Sequence, residues 1–211
     1  VDRREISITV VEAGDRLLKQ LHPDVSERAQ RRLEQVGVRV ILNARVQACT
    51  TDGVQMGSGE HLAGALRIWS AGTTSQLRGV VAPEYLSARG ALRVENTLQL
   101  IGHPEVFAIG DNAEIVSPNA QFVPQTAQAA ASEARHAARN LHRLLDQQPS
   151  VPFYFSSAGD IIPIGDWFAV AEVHGFIFSG RLAWIMRRLI FLKRIWSPLN
   201  RIKIFVDWVL H

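Results

Sequence analysis

A strand, helix and second strand in the first 42 residues limit the fold more than any other feature. Residues 6–12 form a β-branched run that predicts a buried strand from inside a sheet, ending at Glu12. Residues 23–36 predict a helix that Ser26 caps, and 38–42 predict the next strand. Because two strands joined by a crossover helix are typical of parallel sheets, the sequence predicts an α/β fold.

The segment 46–66 carries turn signals between short alternating runs, which predicts a small antiparallel layer. Its Gly57-x-Gly59 pair begins like a phosphate-binding loop. A turn is favoured, because the third glycine is missing and no helix-forming run follows. Residues 66–72 then predict a strand that ends in small residues at Gly72, where a ligand can approach the backbone closely.

A strand followed directly by Gly110 and Asp111 is the strongest functional signal in the sequence. Residues 106–109 predict a buried strand, and ligands bind at the carboxyl edge of strands in open α/β sheets. Asp111 there either accepts hydrogen bonds from a polyol chain or closes an Asx-turn. An alanine-rich helix predicted from Thr126 to about Leu145 would direct its N-terminal amides towards Asp111 and stabilise negative charge.

Few other side chains are candidates for a binding or catalytic role. Glu12 is placed either to accept the hydroxyls of an adenosine ribose or to remain a surface acid. The single cysteine, Cys49, excludes an internal disulfide and is predicted to be a small buried strand residue without a role. None of the seven histidines has a convincing catalytic setting. We therefore predict no catalytic residue and no metal site within this chain.

Positive charge is concentrated at the C-terminal end. Residues 181–211 hold seven Lys and Arg against one acid, whereas the preceding residues hold more acids than bases. This distribution argues against a general nucleic-acid binder. Apolar residues at helical spacing predict two amphipathic basic helices, the second starting at Pro198. Their apolar runs are too short to cross a bilayer.

Two interpretations of these helices stay open: they lie on a membrane surface, or they pack on the body of the protein or on a second copy. Three tryptophans among seven bases favour a lipid headgroup boundary. The residues predicted to contact the membrane are Trp184, Arg187, Arg188, Lys193, Arg194, Trp196, Arg201, Lys203 and Trp208.

Several motifs in a fixed order resemble the pyridine-nucleotide flavoprotein reductases, in which an NAD(P)H domain interrupts an FAD domain. They are Val-Val-Glu-Ala-Gly at 10–14, Ile-Trp-Ser-Ala-Gly-Thr at 68–73 and Phe-Ala-Ile-Gly-Asp at 107–111. Pro-Gln-Thr-Ala-Gln at 124–128 and the basic tail narrow the resemblance to type II NADH:quinone oxidoreductases, whose tail is a membrane anchor. The resemblance implies Rossmann-like dinucleotide-binding domains and a C-terminal amphipathic helical tail.

The implied reaction is hydride transfer from NADH to FAD, followed by electron transfer to a membrane quinone without proton pumping. Glu12 would hold the NADH ribose, Asp111 the FAD ribityl chain, and Thr126 to Gln128 would face the flavin ring and the quinone. Ser132 replaces the family's second glutamine and is the other quinone candidate. The cofactor-binding residues implied by the resemblance are Glu12, Ala71, Gly72, Thr73, Gly110, Asp111, Thr126, Ala127 and Gln128.

The resemblance also implies a domain division. Residues 1–78 would be the remainder of the NAD(P)H-binding domain, 79–148 the returning segment of the FAD-binding domain, and 149–211 the membrane-associating segment. The chain would be the C-terminal half of the enzyme, with both Gly-rich dinucleotide loops before residue 1.

Expected partners are NADH, a quinone, anionic lipid headgroups and a second copy of the chain, and not nucleic acid. The expected location is the cytoplasmic face of the inner membrane, as a peripheral component of a respiratory chain. Two rival hypotheses are a related reductase with another acceptor, such as sulfide or a ferredoxin, and a non-catalytic remnant that binds membranes.

Overall fold

The computed structural model describes residues 6–116 and 123–210, and it divides the chain into two compact units. The split unit comprises the described residues of Val1–Ile68 and Ala158–His211, and the central unit comprises those of Trp69–Ser157. Helices accompany both parallel and antiparallel strands, so the predicted α/β class is confirmed.

The split unit begins with the predicted parallel pair. Strand β1 (Ile8–Val11) and strand β2 (Val38–Ile41) are joined by helix α1 (Pro23–Gln35). The strands are parallel, with Ile8 opposite Val38, so the predicted crossover is confirmed. The expectation of an interior strand was wrong in the described residues, because β1 pairs there with β2 alone and Ile8 is 54% exposed.

Helix α1 is capped by a residue other than the predicted one. The helix begins at Pro23, whose ring suits the first helical position, so the cap falls on His22. The His22 Nδ1 atom accepts a hydrogen bond from the Asp24 amide at 3.2 Å. Ser26 lies inside the helix and is buried, and its hydroxyl has no hydrogen-bond partner among the described residues.

The predicted small antiparallel layer is confirmed. It consists of strands β3 (Val46–Cys49), β4 (Gly53–Met56) and β5 (His61–Ala63). A turn at 57–59 joins β4 to β5, as predicted. Cys49 is exposed rather than buried, because β3 is an edge strand and its last three residues all face solvent.

Residues 66–72 do not form the predicted strand. They have no regular secondary structure, and their apolar side chains are open to solvent: Leu66 is 80%, Ile68 81% and Trp69 63% exposed. A strand requires hydrogen bonds to a neighbour, and the part of the chain that the structure describes places no strand beside this segment.

The central unit is built on a four-stranded sheet. Its strands are β6 (Leu92–Val94), β7 (Gln99–Leu100), β8 (His103–Phe107) and β9 (Ala113–Ile115), in the order β8-β7-β6-β9. Strand β9 is parallel to β6, and the other pairs are antiparallel. Helix α2 (Ala127–Leu145) packs on this unit.

A second antiparallel sheet precedes the C-terminal helices, and the sequence did not predict it. Strands β10 (Asp160–Pro163), β11 (Ala169–Val173) and β12 (Phe176–Gly180) form two successive hairpins, followed by helices α3 (Arg181–Arg194) and α4 (Pro198–Leu210). The residues that join this sheet to α1 in one core are Val25, Ala29, Ile164 and Val170.

Candidate functional site

A short 3-10 turn, Gly110–Asn112, follows strand β8 and carries the most strongly predicted site residues. The strand ends at Phe107, and Val106 is 37% exposed, so the predicted buried strand at 106–109 was wrong in both bounds and burial. The reason is the position of β8 at the edge of its sheet. The Asp111 side chain is exposed directly after the sheet.

Helix α2 packs closely against this turn. Gly110 has a φ of +61°, and a Cβ atom there would lie 3.3 Å from the Ala130 Cβ atom. The Gly110 amide donates a hydrogen bond to Glu133 Oε2 at 2.5 Å. Small residues on α2 permit this approach, and the glutamate joins the turn to the helix.

Helix α2 starts within one residue of the predicted position, Thr126. Thr126 caps the helix, because its backbone is extended and its Oγ1 atom accepts a hydrogen bond from the Ala129 amide at 3.2 Å. The amides of the first turn carry the positive end of the helix dipole. Ala127 is exposed and Gln128 is half-buried.

A cleft of about 510 Å³ lies between the turn and the start of α2. It brings Gly110 and Thr126 together, as the sequence predicts. The lining residues are Arg89, Gly110, Ala113, Glu114, Ile115, Val116, Val123, Pro124, Gln125, Thr126, Ala129, Ala130 and Glu133. Asp111, Ala127, Gln128 and Ser132 do not belong to this lining among the described residues.

The cleft contains two carboxylates in contrasting environments. Glu133 is only 5% exposed, and this burial raises its pKa. The hydrogen bond from the Gly110 amide lowers the pKa, and the nearby charge of Asp111 raises it. The nearby Ser87 hydroxyl and the Arg89 guanidinium hold the pKa of Glu114 below its usual value. Arg89 Nε donates to Glu114 Oε2 at 3.0 Å.

A hydrogen bond ties the segment after Gly72 to the turn. The Ser75 hydroxyl donates to Asn112 Oδ1 at 2.8 Å, although the two residues are 37 positions apart. Gly72 has a φ of +89°, and its predicted neighbours Ala71 and Thr73 are exposed like Gly72 itself. Their cofactor contacts remain a prediction.

Glu12 belongs to the split unit, at the end of β1. Its Oε1 atom accepts a hydrogen bond from the Gly14 amide at 2.7 Å, so the carboxylate closes the turn after the strand. The side chain is half-buried. Ribose binding by Glu12 remains a prediction.

Sequence reasoning missed Ser75, Arg89, Glu114 and Glu133. The first three lie outside any recognisable motif. Glu133 left a detectable signal: it is the single acid among the alanines of the first half of α2, two helical turns after Thr126. An isolated acid on a small-residue face that packs inward is a candidate for a buried polar contact.

Arg188 joins the two C-terminal helices through aromatic rings. Its guanidinium lies 3.8 Å from the Trp184 ring centroid and 4.7 Å from that of Trp208. Trp184 also stacks on Trp167 at 4.2 Å between centroids. Trp184 and Trp208 therefore contribute to packing, whereas Trp196 is 96% exposed. Membrane contact by these residues remains a prediction.

Large apolar side chains of α3 and α4 face solvent. The exposed ones are Leu182, Ile185, Leu189, Ile190, Phe191, Leu199, Ile202, Phe205 and Val206. The basic residues Arg187, Lys193, Arg194, Arg201 and Lys203 lie on the same two helices. No helix in the described residues is both long enough and apolar enough to cross a membrane.

The described arrangement is that of an α/β nucleotide-binding fold with a cleft at the start of a helix. Residues 3–134 match the family model for pyridine nucleotide-disulphide oxidoreductases. Since the match covers more than half of the chain, the protein belongs to this family.

Individual relatives are similar to this chain over nearly its whole length. The chain is 29% identical to the type II NADH:quinone oxidoreductase NdhA of Mycobacterium tuberculosis over 97% of this chain and 45% of that protein. It is 28% identical to the demethylphylloquinone reductase NdbB of Synechocystis over 96% of this chain and 51% of that protein. The chain thus spans about half the length of these relatives.

A solved structure confirms the fold. NDH2 from Plasmodium falciparum, solved in complex with NADH, superposes with a TM-score of 0.78 at 18% identity. The superposition covers 97% of this chain and 57% of the other. At this identity the likeness concerns the fold alone.

Proposed function

We propose that this chain is part of an FAD-dependent oxidoreductase that passes electrons from NADH to a membrane quinone without pumping protons. The observation that carries the proposal is the cleft where the Gly110–Asn112 turn meets the N-terminus of α2, in a chain of this family. Relatives named as quinone reductases over nearly the whole chain support the choice of acceptor.

The residues that line the cleft, together with Asp111 next to its lining residue Gly110, fit the flavin part of FAD. Asp111 offers an exposed carboxylate, which suits the hydroxyls of a ribityl chain. The N-terminus of α2 offers backbone amides and a positive dipole, which suit the electron-rich edge of a flavin ring. When bound, FAD supplies the two-electron chemistry of the reaction, and the protein supplies position and electrostatics.

Each residue of the site has a positioning task in this proposal. Asp111 accepts hydrogen bonds from the ribityl hydroxyls, and Thr126 fixes the start of α2. The Ser75 to Asn112 hydrogen bond keeps the segment after Gly72 close to the turn. Ala71, Gly72 and Thr73 then lie near the cofactors, where small residues permit close approach.

Substrate contacts extend the same proposal. Glu12 accepts hydrogen bonds from the ribose hydroxyls of NADH, while its Oε1 atom also accepts the hydrogen bond from the Gly14 amide. Ala127 and Gln128 face the ring and the quinone, and Ser132 lies one helical turn beyond Gln128. A serine is shorter than the glutamine that the resemblance implies there, so we expect Gln128 to contribute more to quinone binding.

The C-terminal helices are proposed to bind the cytoplasmic face of the inner membrane. The exposed apolar residues of α3 and α4 suit the acyl boundary, and the neighbouring bases suit anionic lipid headgroups. Pairing of two copies through the same helices is the alternative use of this surface. The domain division at 78 and 148 belongs to the proposal as well.

The test uses the natural full-length protein, purified from membranes. We expect a flavin absorption spectrum that NADH bleaches, and NADH-dependent reduction of a water-soluble quinone. Asp111→Ala should weaken FAD binding about tenfold or more, because a hydrogen bond to a charged group contributes roughly 1.5–3 kcal/mol. Asp146→Ala is the matched control, since Asp146 is an exposed acid at the far end of α2.

The outcomes separate the rival hypotheses. Flavin that NADH bleaches but no quinone re-oxidises would favour a related reductase with another acceptor. A colourless protein that still binds vesicles would overturn the proposal in favour of a non-catalytic membrane-binding remnant. Equal FAD loss in both aspartate variants would remove the assigned role of Asp111.

A further inference from the structure

Among the described residues that line the cleft, Glu133 is the one buried carboxylate, and it occupies a specific position. It lies on the face of α2 that contains Ala129 and Ala130, and only 5% of its surface is exposed. Its Oε2 atom accepts the Gly110 amide hydrogen bond, while the residue also lines the cleft. One side chain thus contacts both the turn that carries Asp111 and the space next to it.

The charges around Glu133 leave it without a compensating cation. Among the described residues it forms no ion pair. Asp111 faces it from the turn and repels its charge. Arg89 and Glu114 line the same cleft but bond to each other. On α2 itself, the His136 ring is hydrogen-bonded to the Val151 carbonyl.

By sequence, the segment 117–122, which connects β9 to the start of α2, carries no ionisable side chain. Among the residues of the described lining, protons that respond to charge in the cleft therefore have few places to bind. Asp111 is exposed, and the Ser87 hydroxyl and the Arg89 guanidinium favour the ionised form of Glu114. Burial favours the neutral form of a carboxyl group, so Glu133 is the group in the cleft most responsive to added negative charge.

We propose that Glu133 is a positioning residue that holds the Gly110–Asn112 turn and takes up a proton when electrons enter the cleft. The inference rests on the proposed function, which supplies NADH as the two-electron donor and a quinone as the acceptor. The carboxylate binds one proton from solvent as the cleft becomes more negative. It releases that proton to solvent when the two electrons leave. No bond to Glu133 other than its O–H is formed or broken.

The Glu133 carboxyl group both holds the Gly110–Asn112 turn and takes up the proton. In the ionised state, Glu133 Oε2 accepts the Gly110 amide hydrogen bond. In the protonated state, the unprotonated oxygen can still accept that bond, and the new O–H group can donate into the cleft. Proton uptake therefore keeps the turn in place while it neutralises a charge that solvent reaches poorly.

The test is the pH dependence of the flavin midpoint potential in the full-length, FAD-loaded protein. Each proton taken up with two electrons makes the potential about 30 mV more negative per pH unit. We expect the wild type to show this extra slope over the interval in which Glu133 titrates. Glu133→Gln should lose it, because the amide oxygen still accepts the Gly110 hydrogen bond but cannot bind a proton at these pH values.

Glu114→Gln is the matched control, since Glu114 lines the same cleft but is paired with Arg89. It should keep the extra slope. Infrared difference spectra between the reduced and oxidised protein should show a protonated carboxyl band that Glu133→Gln lacks. An unchanged slope in Glu133→Gln with flavin bound overturns this inference alone. Absence of flavin from the wild type overturns the proposed function, and this inference with it.

Discussion

Gly110 shows how a single residue is constrained by backbone and packing together. Its φ of +61° lies in the left-handed region, where an L side chain costs roughly 1–2 kcal/mol. The Ala130 methyl group lies close to where a side chain would begin. A glycine is therefore required here both by the turn and by the approach of α2.

We expect Gly110→Ala to lower stability more than Gly102→Ala does. Gly102 has a φ of +81°, but no atom lies within 4 Å of a Cβ built there. Both variants lose the backbone freedom of glycine, and only Gly110→Ala also presses on Ala130. Chemical unfolding of the full-length protein measures the two losses. Equal losses would show that α2 adapts to the added methyl group without cost.

Glu133 gives the stability of the protein a defined pH dependence. Its pKa is raised in the folded state, so the folded protein binds more protons than the unfolded chain between the two pKa values. The contribution of Glu133 to the free energy of unfolding is therefore fullest at low pH and falls as pH rises through this interval.

The expected result is that Glu133→Gln gains stability relative to the wild type as pH rises from the ordinary glutamate pKa. The gain should level off above the raised pKa. Urea unfolding of the flavin-free full-length protein over a pH series measures it. A constant difference between the two proteins at every pH would contradict the assigned shift.

At the scale of elements, helix α2 is fixed at two positions along its length by side-chain to backbone hydrogen bonds. Near its N-terminus, Glu133 binds the Gly110 amide. Further along, the fully buried Asn140 donates to the Thr97 and Val151 carbonyls and accepts from the Val151 amide. The helix that lines the cleft is therefore anchored independently of any ligand.

Helices α3 and α4 offer a matched pair of arginines for a second prediction. Arg188→Ala removes a charge and also the guanidinium that contacts the Trp184 ring of α3 and the Trp208 ring of α4. Arg187→Ala removes a charge whose ring contact, with Phe191, stays within α3. Each lost charge should weaken binding to anionic vesicles by about 1 kcal/mol. Arg188→Ala should weaken vesicle binding by roughly 0.5–2 kcal/mol more, because the cation–π contacts that join α3 to α4 are also lost.

Vesicle co-sedimentation and tryptophan fluorescence of the full-length protein measure these effects together. Arg188→Ala should change the tryptophan emission before vesicles are added, and Arg187→Ala should not. Identical binding and emission in the two variants would show that the Arg188 rings do not hold α4 in its binding position.

Local sequence signals predicted an element well where the hydrogen bonds and contacts that define it lie within one short stretch of the chain. The crossover β1-α1-β2, the small antiparallel layer and α2 followed from periodicity, turns and caps within one short stretch. The strand predicted at 66–72 failed because a strand depends on a neighbour that local sequence does not reveal. The sheet β10-β11-β12 was missed because its residues were read only as a link to the basic tail.

The residues of the candidate site likewise include some that local sequence signals predicted and some that they did not. Gly110, Asp111 and Thr126 were predicted because a motif or a helix start marks each of them. Ser75 and Glu133 were not, because their partners lie 37 and 23 positions away along the chain. Contacts of this kind depend on how elements pack, and a single sequence carries little trace of packing.

At the scale of the whole molecule, the split unit has a consequence for how the chain is made. Helix α1 completes its core only with β10 to β12, and the His22 amide finds the Glu172 carboxylate 150 positions further along. During synthesis, α1 therefore leaves the ribosome long before its partners exist. Its apolar side stays exposed until the central unit has been translated, so we expect this helix to need protection by a chaperone during synthesis.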